Sequence, residues 1–186
     1  MNIIKTLISI ALLTLLSACA DDDYAASNLD KEFSINGVFG INLGTVDEVL
    51  PEGYIIENKA ITFIPNKADE RFVKYEYSTT PKSHVIYGIK TKSLRELSKE
   101  DCFGQRDALI EQTLDKLGDT SQLRVTQEKN KWKIREANQR QITIDCEVSI
   151  SPDELQLVMV YQDTSLSLMA FKEWKKRQTE ITLIRF

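Results

Sequence analysis

The chain has 186 residues, of which 42% are hydrophobic and 28% charged, with seven glycines, four prolines and a formal net charge of −4. This composition excludes collagen-like, low-complexity and wholly disordered chains. A net acidic chain argues against nucleic acid as a partner, and beyond one apolar N-terminal block no run is long enough to span a bilayer.

The N-terminus opens Met1-Asn2-Ile3-Ile4-Lys5, with one positive charge, and continues into an apolar run from Leu7 to Leu16 broken by Ser9 and Thr14. A short basic start, an apolar stretch of about 10 residues and small residues before a cut describe a secretory signal over residues 1–18. The stretch is too short to cross a membrane as a helix. The residues Leu16-Ser17-Ala18-Cys19 resemble the lipobox of bacterial lipoproteins. That resemblance implies cleavage before Cys19, acylation of its thiol and, as a rule, acylation of the new amino group. The membrane is then a partner through acyl chains. Each buried methylene contributes about 0.8 kcal/mol, so two or three chains anchor stably where one does not. An ordinary signal peptide with an incidental cysteine is the alternative. In the enterobacterial pattern, Asp after the cysteine retains a lipoprotein in the inner membrane. Ala20 stands there in this chain, which implies the outer membrane on its periplasmic face. Asp21, Asp22 and Asp23 keep the inner membrane as the alternative. Lys5 is the only charge in residues 1–18, so the mature chain carries a formal −5.

Residues 19–32 are acidic and small and read as a tether. The globule is expected over residues 33–186. Two cysteines remain after Cys19, namely Cys102 and Cys146. In an exported chain an even remainder reads as a disulfide. Free or metal-binding thiols are the alternative, without CxxC spacing or histidine partners to support it. The bridge would close a loop of about 45 residues, worth roughly 4 kcal/mol in the chain-entropy model.

From Phe33 to Leu43 apolar residues stand among glycines, read either as a core strand or as a strand exchanged with a partner. Thr45, with Glu48 three residues on, predicts a capped helix over Val46–Leu50, stopped by Pro51 and Gly53. Strands are predicted at Ile61–Ile64, at Val73–Tyr77 and at Val85–Lys90, where Val85, Tyr87 and Ile89 share one side. Ser98 caps a long helix that carries Cys102, Phe103, Leu109, Ile110, Leu114 and Leu117 on one side and ends at Gly118. Strands resume at Leu123–Val125 and Trp132–Ile134. Next comes Ile142, Ile144, Cys146, Val148 and Ile150 in strict alternation, then Leu155–Tyr161. A helix after Asp163 would turn Leu166, Met169, Ala170 and Trp174 inward, and Ile181–Phe186 reads as a closing strand.

The fold class is therefore α+β, antiparallel strands with helices on one face. A degenerate repeat at an offset of about 70 residues aligns Thr62 with Trp132, Phe72 with Ile142 and Val85 with Leu155. A plain meander would align in the same way. The phrase LGTVDEVLPEG at Leu43–Gly53 resembles the opening helix of small outer-membrane assembly lipoproteins and of β-lactamase-inhibitor-type domains. That resemblance implies a helix packed on an antiparallel sheet, repeated in tandem in the inhibitors, and work done by binding proteins.

Catalytic chemistry has little to stand on. His84 is the single histidine, without Cys, Asp or Glu at ligand spacing, and no GxSxG, HExxH or phosphate loop is present. The acid pairs Asp47/Glu48, Glu100/Asp101 and Asp153/Glu154 sit at predicted helix starts or turns. No catalytic residue, metal or cofactor is expected. The run Lys129–Arg135 alternates charge with Trp132 and Ile134. Lys131, Trp132, Lys133 and Arg135 are the candidate partner-binding residues, facing an acidic protein or anionic glycan. An edge guard against strand pairing is the alternative. Lys172–Arg177 reads as cations complementing a helix end, or as a membrane-surface contact. The leading functional reading is a non-enzymatic, periplasm-facing lipoprotein that binds an envelope protein. The alternatives are an inhibitor or immunity protein against a periplasmic hydrolase or toxin, and a cell-wall hydrolase using paired carboxylates.

Overall fold

Alternation of inward apolar and outward polar side chains builds one large sheet. The computed structural model describes residues 33–48, 60–93, 96–149 and 154–184. The expected signal segment 1–18 and the expected tether 19–32, with Cys19, lie outside them. Strands β1 (Gly37–Val38) and β2 (Ile41–Asn42) form a small hairpin. Strands β3 (Ile61–Thr62), β4 (Lys74–Thr79), β5 (Ile86–Lys92), β6 (Leu123–Glu128), β7 (Lys131–Glu136), β8 (Arg140–Val148) and β9 (Leu155–Asp163) form a seven-stranded antiparallel sheet in the order β3-β4-β5-β9-β8-β7-β6. Helices α1 (Lys99–Leu117) and α2 (Thr164–Ile184) complete an α+β fold. Residues 33–186 are one unit.

Strand β8 sets the core. Ile142, Ile144 and Cys146 are buried and pair with Tyr161, Met159 and Leu157 of β9, also buried. Each such side chain contributes about 1.5–3 kcal/mol by leaving water. Val148 keeps the alternation but is 61% exposed, so the buried row ends at Cys146. Helix α1 lies over this face. Ser98 Oγ accepts from Asp101 N, and Gly118 ends the helix at φ 69°, a left-handed conformation that favours glycine. Cys102 and Cys146 are joined by a disulfide with Cα atoms 6.1 Å apart, which pins α1 to β8. At Gly104 an added Cβ would meet nothing within 4 Å, so packing gives no reason for a glycine there.

Three sequence expectations change. In β5, Ile86 and Ile89 are both buried, which simple alternation forbids. Thr79 pairs with Ile86 and Ser78 with Gly88, leaving Tyr87 as the extra residue of a β-bulge that resets the parity. Val46 does not begin a helix. It bridges Val85 antiparallel, Ile86 N donates to Thr45 O, and Asp47 N donates to His84 O. Backbone pairing with this segment wins over the capping pattern, and Thr45 Oγ1 turns back to Asn42 O. Residues 49 and 50 lie outside the described residues. The closing strand from Ile181 is absent because α2, with neither Gly nor Pro, runs on to Ile184. At the start of α2, Gln162 Nε2 donates to Ser167.

The order β3-β4-β5 against β9-β8-β7 mirrors itself about the β5–β9 pair, and a helix follows each inner strand. The repeating pattern is thus strands then helix. Among the described residues no helix precedes β3, and β6 has no counterpart.

Candidate functional site

The basic strip lies on β7, with Lys131, Lys133 and Arg135 on one face and Trp132 and Ile134 on the other. Most of its charge is engaged. Lys131 Nζ meets Asp145 Oδ2 at 2.9 Å, and that hydrogen bond raises the lysine pKa against the opposing effect of burial. Lys133 Nζ lies 3.1–3.2 Å from both Glu128 oxygens, and its hydrogen bond is the main cause of the lowered Glu128 pKa. Arg135 faces Arg124 across the strand pair. The unbalanced positive charge therefore centres on Arg124 and Arg135.

Trp132 is half-buried and serves another purpose. Its Nε1 donates to Asp107 Oδ1 at 2.9 Å. Asp107 also takes Arg106 Nε at 2.8 Å, and Arg106 Nη1 donates to Lys129 O at 3.3 Å. This chain of contacts ties the β6–β7 hairpin to α1, so Trp132 does not share a surface with the three cations.

The edge-guard alternative for β7 is corrected by the topology, because β7 is flanked by β6 and β8. The edge is β6. Its two-residue loop, Lys129–Asn130, makes Glu128 and Lys131 the closing hydrogen-bonded pair. Backbone groups then alternate along the strand. Arg124, Thr126 and Glu128 point theirs at β7, and Leu123, Val125 and Gln127 point theirs outward. Leu123 N is satisfied by Thr120 O at 2.9 Å. Val125 and Gln127 hold the open edge, with no strand beyond them among the described residues. Beside the edge lies a hollow of about 780 Å³ between the end of α1 and β6, lined by Leu114, Asp115, Gly118, Thr120, Leu123 and Val125. The opposite edge, β3, has only two residues.

A second constellation was not singled out in the sequence. Glu136, Arg140 and Asp163 stand in one row across β7, β8 and β9, all buried. Glu136 Oε1 and Oε2 accept from Ser34 N and Ile35 N, each at 2.8 Å. Arg140 donates to Ile35 O at 3.0 Å, to Asn36 Oδ1 at 2.8 Å and to Asp163 Oδ2 at 3.3 Å. Its guanidinium also stacks 4.2 Å above the Phe33 ring. Asp163 Oδ1 caps α2 through Ser165 N and Leu166 N. The row fastens Phe33–Leu43 to its own sheet, with Phe33, Ile35 and Leu43 buried. The signal was parity, since Arg140 shares the inward side with Ile142, Ile144 and Cys146.

In two of the acid pairs one member has a structural partner. Asp101 accepts from Ser98 Oγ at 2.7 Å, and Asp47 accepts from Tyr77 at 2.6 Å. Asp153 lies outside the described residues. His84 occupies a turn at φ 56°, its N–H donating to Thr80 O at 3.1 Å. Among the described residues no cluster of His, Cys, Asp or Glu could hold a metal, and no helix is long and apolar enough to cross a membrane. Lys172–Arg177 falls inside α2, not at its end, and no basic residue stands in the last turn. The dipole reading of that run is thereby corrected. Comparison of the chain with protein-family models, curated proteins and solved structures finds no match.

Proposed function

We propose that the chain is a lipid-anchored, periplasm-facing lipoprotein of a bacterial outer membrane that binds another envelope protein and catalyses no reaction. Its partner adds an extended segment to β6. The open backbone of Val125 and Gln127 beside the α1 hollow carries this reading. Strand addition draws affinity from main-chain hydrogen bonds and specificity from adjoining pockets. Arg124 and Arg135 favour an acidic segment, and such steering weakens as salt screens it. The anchor at Cys19 rests on the lipobox resemblance, with the acidic tether between lipid and globule.

The test places a photo-crosslinking residue at Gln127 in the full chain, expressed in its own envelope. The expected result is one discrete protein adduct, reduced by Arg124→Glu/Arg135→Glu. No adduct at Gln127, or a smear equal to that from a position on α2, contradicts the reading.

A further inference from the structure

We infer that the cleft beside the β1–β2 hairpin binds a small acidic sugar. The cleft measures about 630 Å³ and lies between the hairpin, the segment 66–69 and the C-terminal half of α1. That is within the ~300–1,000 Å³ typical of small-molecule sites. It is separate from the β6 edge and the hollow beside it.

Tyr161 marks the cleft as more than a surface depression. It lines the cleft although only 7% of its surface is exposed. Its hydroxyl has no protein hydrogen-bond partner among the described residues, and it is not sealed from solvent. Tyr75, buried on the same face, shows the ordinary solution, with its hydroxyl donating to Asp69 O at 2.9 Å and Phe72 O at 3.2 Å. A buried phenol is normally satisfied in this way. Burial alone raises the Tyr161 pKa, so the group stays protonated and can both donate and accept. It is a polar group on the cleft wall, accessible to a ligand.

The other walls define that partner. Lys67 and Lys116 line the cleft, and neither comes within ion-pair distance of an acid among the described residues, although the Lys116 charge also acts on Asp69. Asp69 is the one carboxylate in the lining, and Arg71 already engages it, with Nε 2.8 Å from Oδ1. The cleft is therefore locally cationic in an acidic chain, which calls for an anionic group on the ligand. Asn42 and Asn66 add carboxamides without hydrogen bonds of their own. Such groups pair with hydroxyls, as donor and acceptor at once. Phe39 supplies a fixed apolar wall, its ring held edge-on against Tyr75 at 5.0 Å and Phe72 at 6.3 Å. An acid group, several hydroxyls and an apolar C–H face together describe an acidic sugar, not a bare anion or a neutral one.

Calorimetric titration of the purified, detergent-solubilised mature chain tests this. The probes are N-acetylmuramic acid and glucuronic acid, with N-acetylglucosamine as neutral control and inorganic phosphate as bare anion. Saturable binding of at least one acidic sugar is expected, at least about tenfold tighter than either control, a difference of one decade in Kd. Tyr161→Phe keeps the ring and should weaken binding about tenfold with an unchanged circular dichroism spectrum. Lys67→Ala/Lys116→Ala should abolish the preference for the acid over N-acetylglucosamine. Absence of saturable binding by both acidic sugars overturns the inference. So does phosphate binding as tightly as the sugars, or sugar affinity that neither variant alters.

Discussion

Replacing Arg140 with methionine should cost about 3–5 kcal/mol, the range for removing one partner of a buried ion pair. Methionine retains an unbranched stem over the Phe33 ring, so packing changes little. The charge does not survive. Arg140 is the cation in a row with Glu136 and Asp163, and the Asp163 side chain is only 2% exposed. Its loss also removes the donors to Ile35 O and Asn36 Oδ1, so the segment Phe33–Leu43 should loosen first. Urea denaturation reports the global cost, and amide exchange at Ile35, whose N–H is held by Glu136, reports the local one. Adding Asp163→Asn removes the orphaned charge and keeps an oxygen for the α2 cap. The double variant should recover at least a third of the loss. A cost below about 1 kcal/mol for Arg140→Met, or no recovery in the double variant, would refute the reasoning.

Replacing both bridge cysteines by alanine should cost about 4 kcal/mol for the 44-residue separation, lowering Tm by roughly 8–16 °C. Calorimetry on oxidised wild type and the double variant checks it, and a shift of only a degree or two would contradict the assigned role. The Asp69 carboxyl is held below its ordinary value, chiefly by hydrogen bonds from Arg71. A folded pKa below the unfolded value stabilises the fold above about pH 3.9 and loses that contribution as pH falls through the lower folded value. Asp69→Asn should therefore be less stable than wild type at neutral pH, with the gap closing in acid. A gap that is constant with pH would be inconsistent with this. Mass spectrometry of the mature protein should find Cys19 at the N-terminus with added acyl mass, and cleavage there without acyl mass would remove the anchor from the account.

Local pattern carried much of this fold. Ile142, Ile144 and Cys146 face inward as their spacing demands, and Ser98 and Gly118 bound α1 as their chemistry predicts. The same inward parity aligned both cysteines. What escaped depended on contacts distant in sequence. The bulge at Tyr87 is invisible until β5 is laid beside β4. Val46 pairs with Val85 at a sequence separation of 39, and no capping pattern anticipates that. The identity of the open edge follows from strand order, so the charge on β7 suggested an edge where β6 supplies it. Arg140 was readable in principle, because a charge on an inward row requires a buried partner. Tyr161 was not, since whether its hydroxyl finds a protein partner is settled only by what surrounds it.

The most direct measurement uses Val125→Pro, read as crosslinking yield at Gln127 in the native envelope. The Val125 N–H points away from β7, so proline removes a group that only an added strand would use, and edge strands tolerate proline in that orientation. Strand addition predicts loss of the adduct with the melting transition preserved. A folded Val125→Pro protein that crosslinks as efficiently as wild type would contradict it.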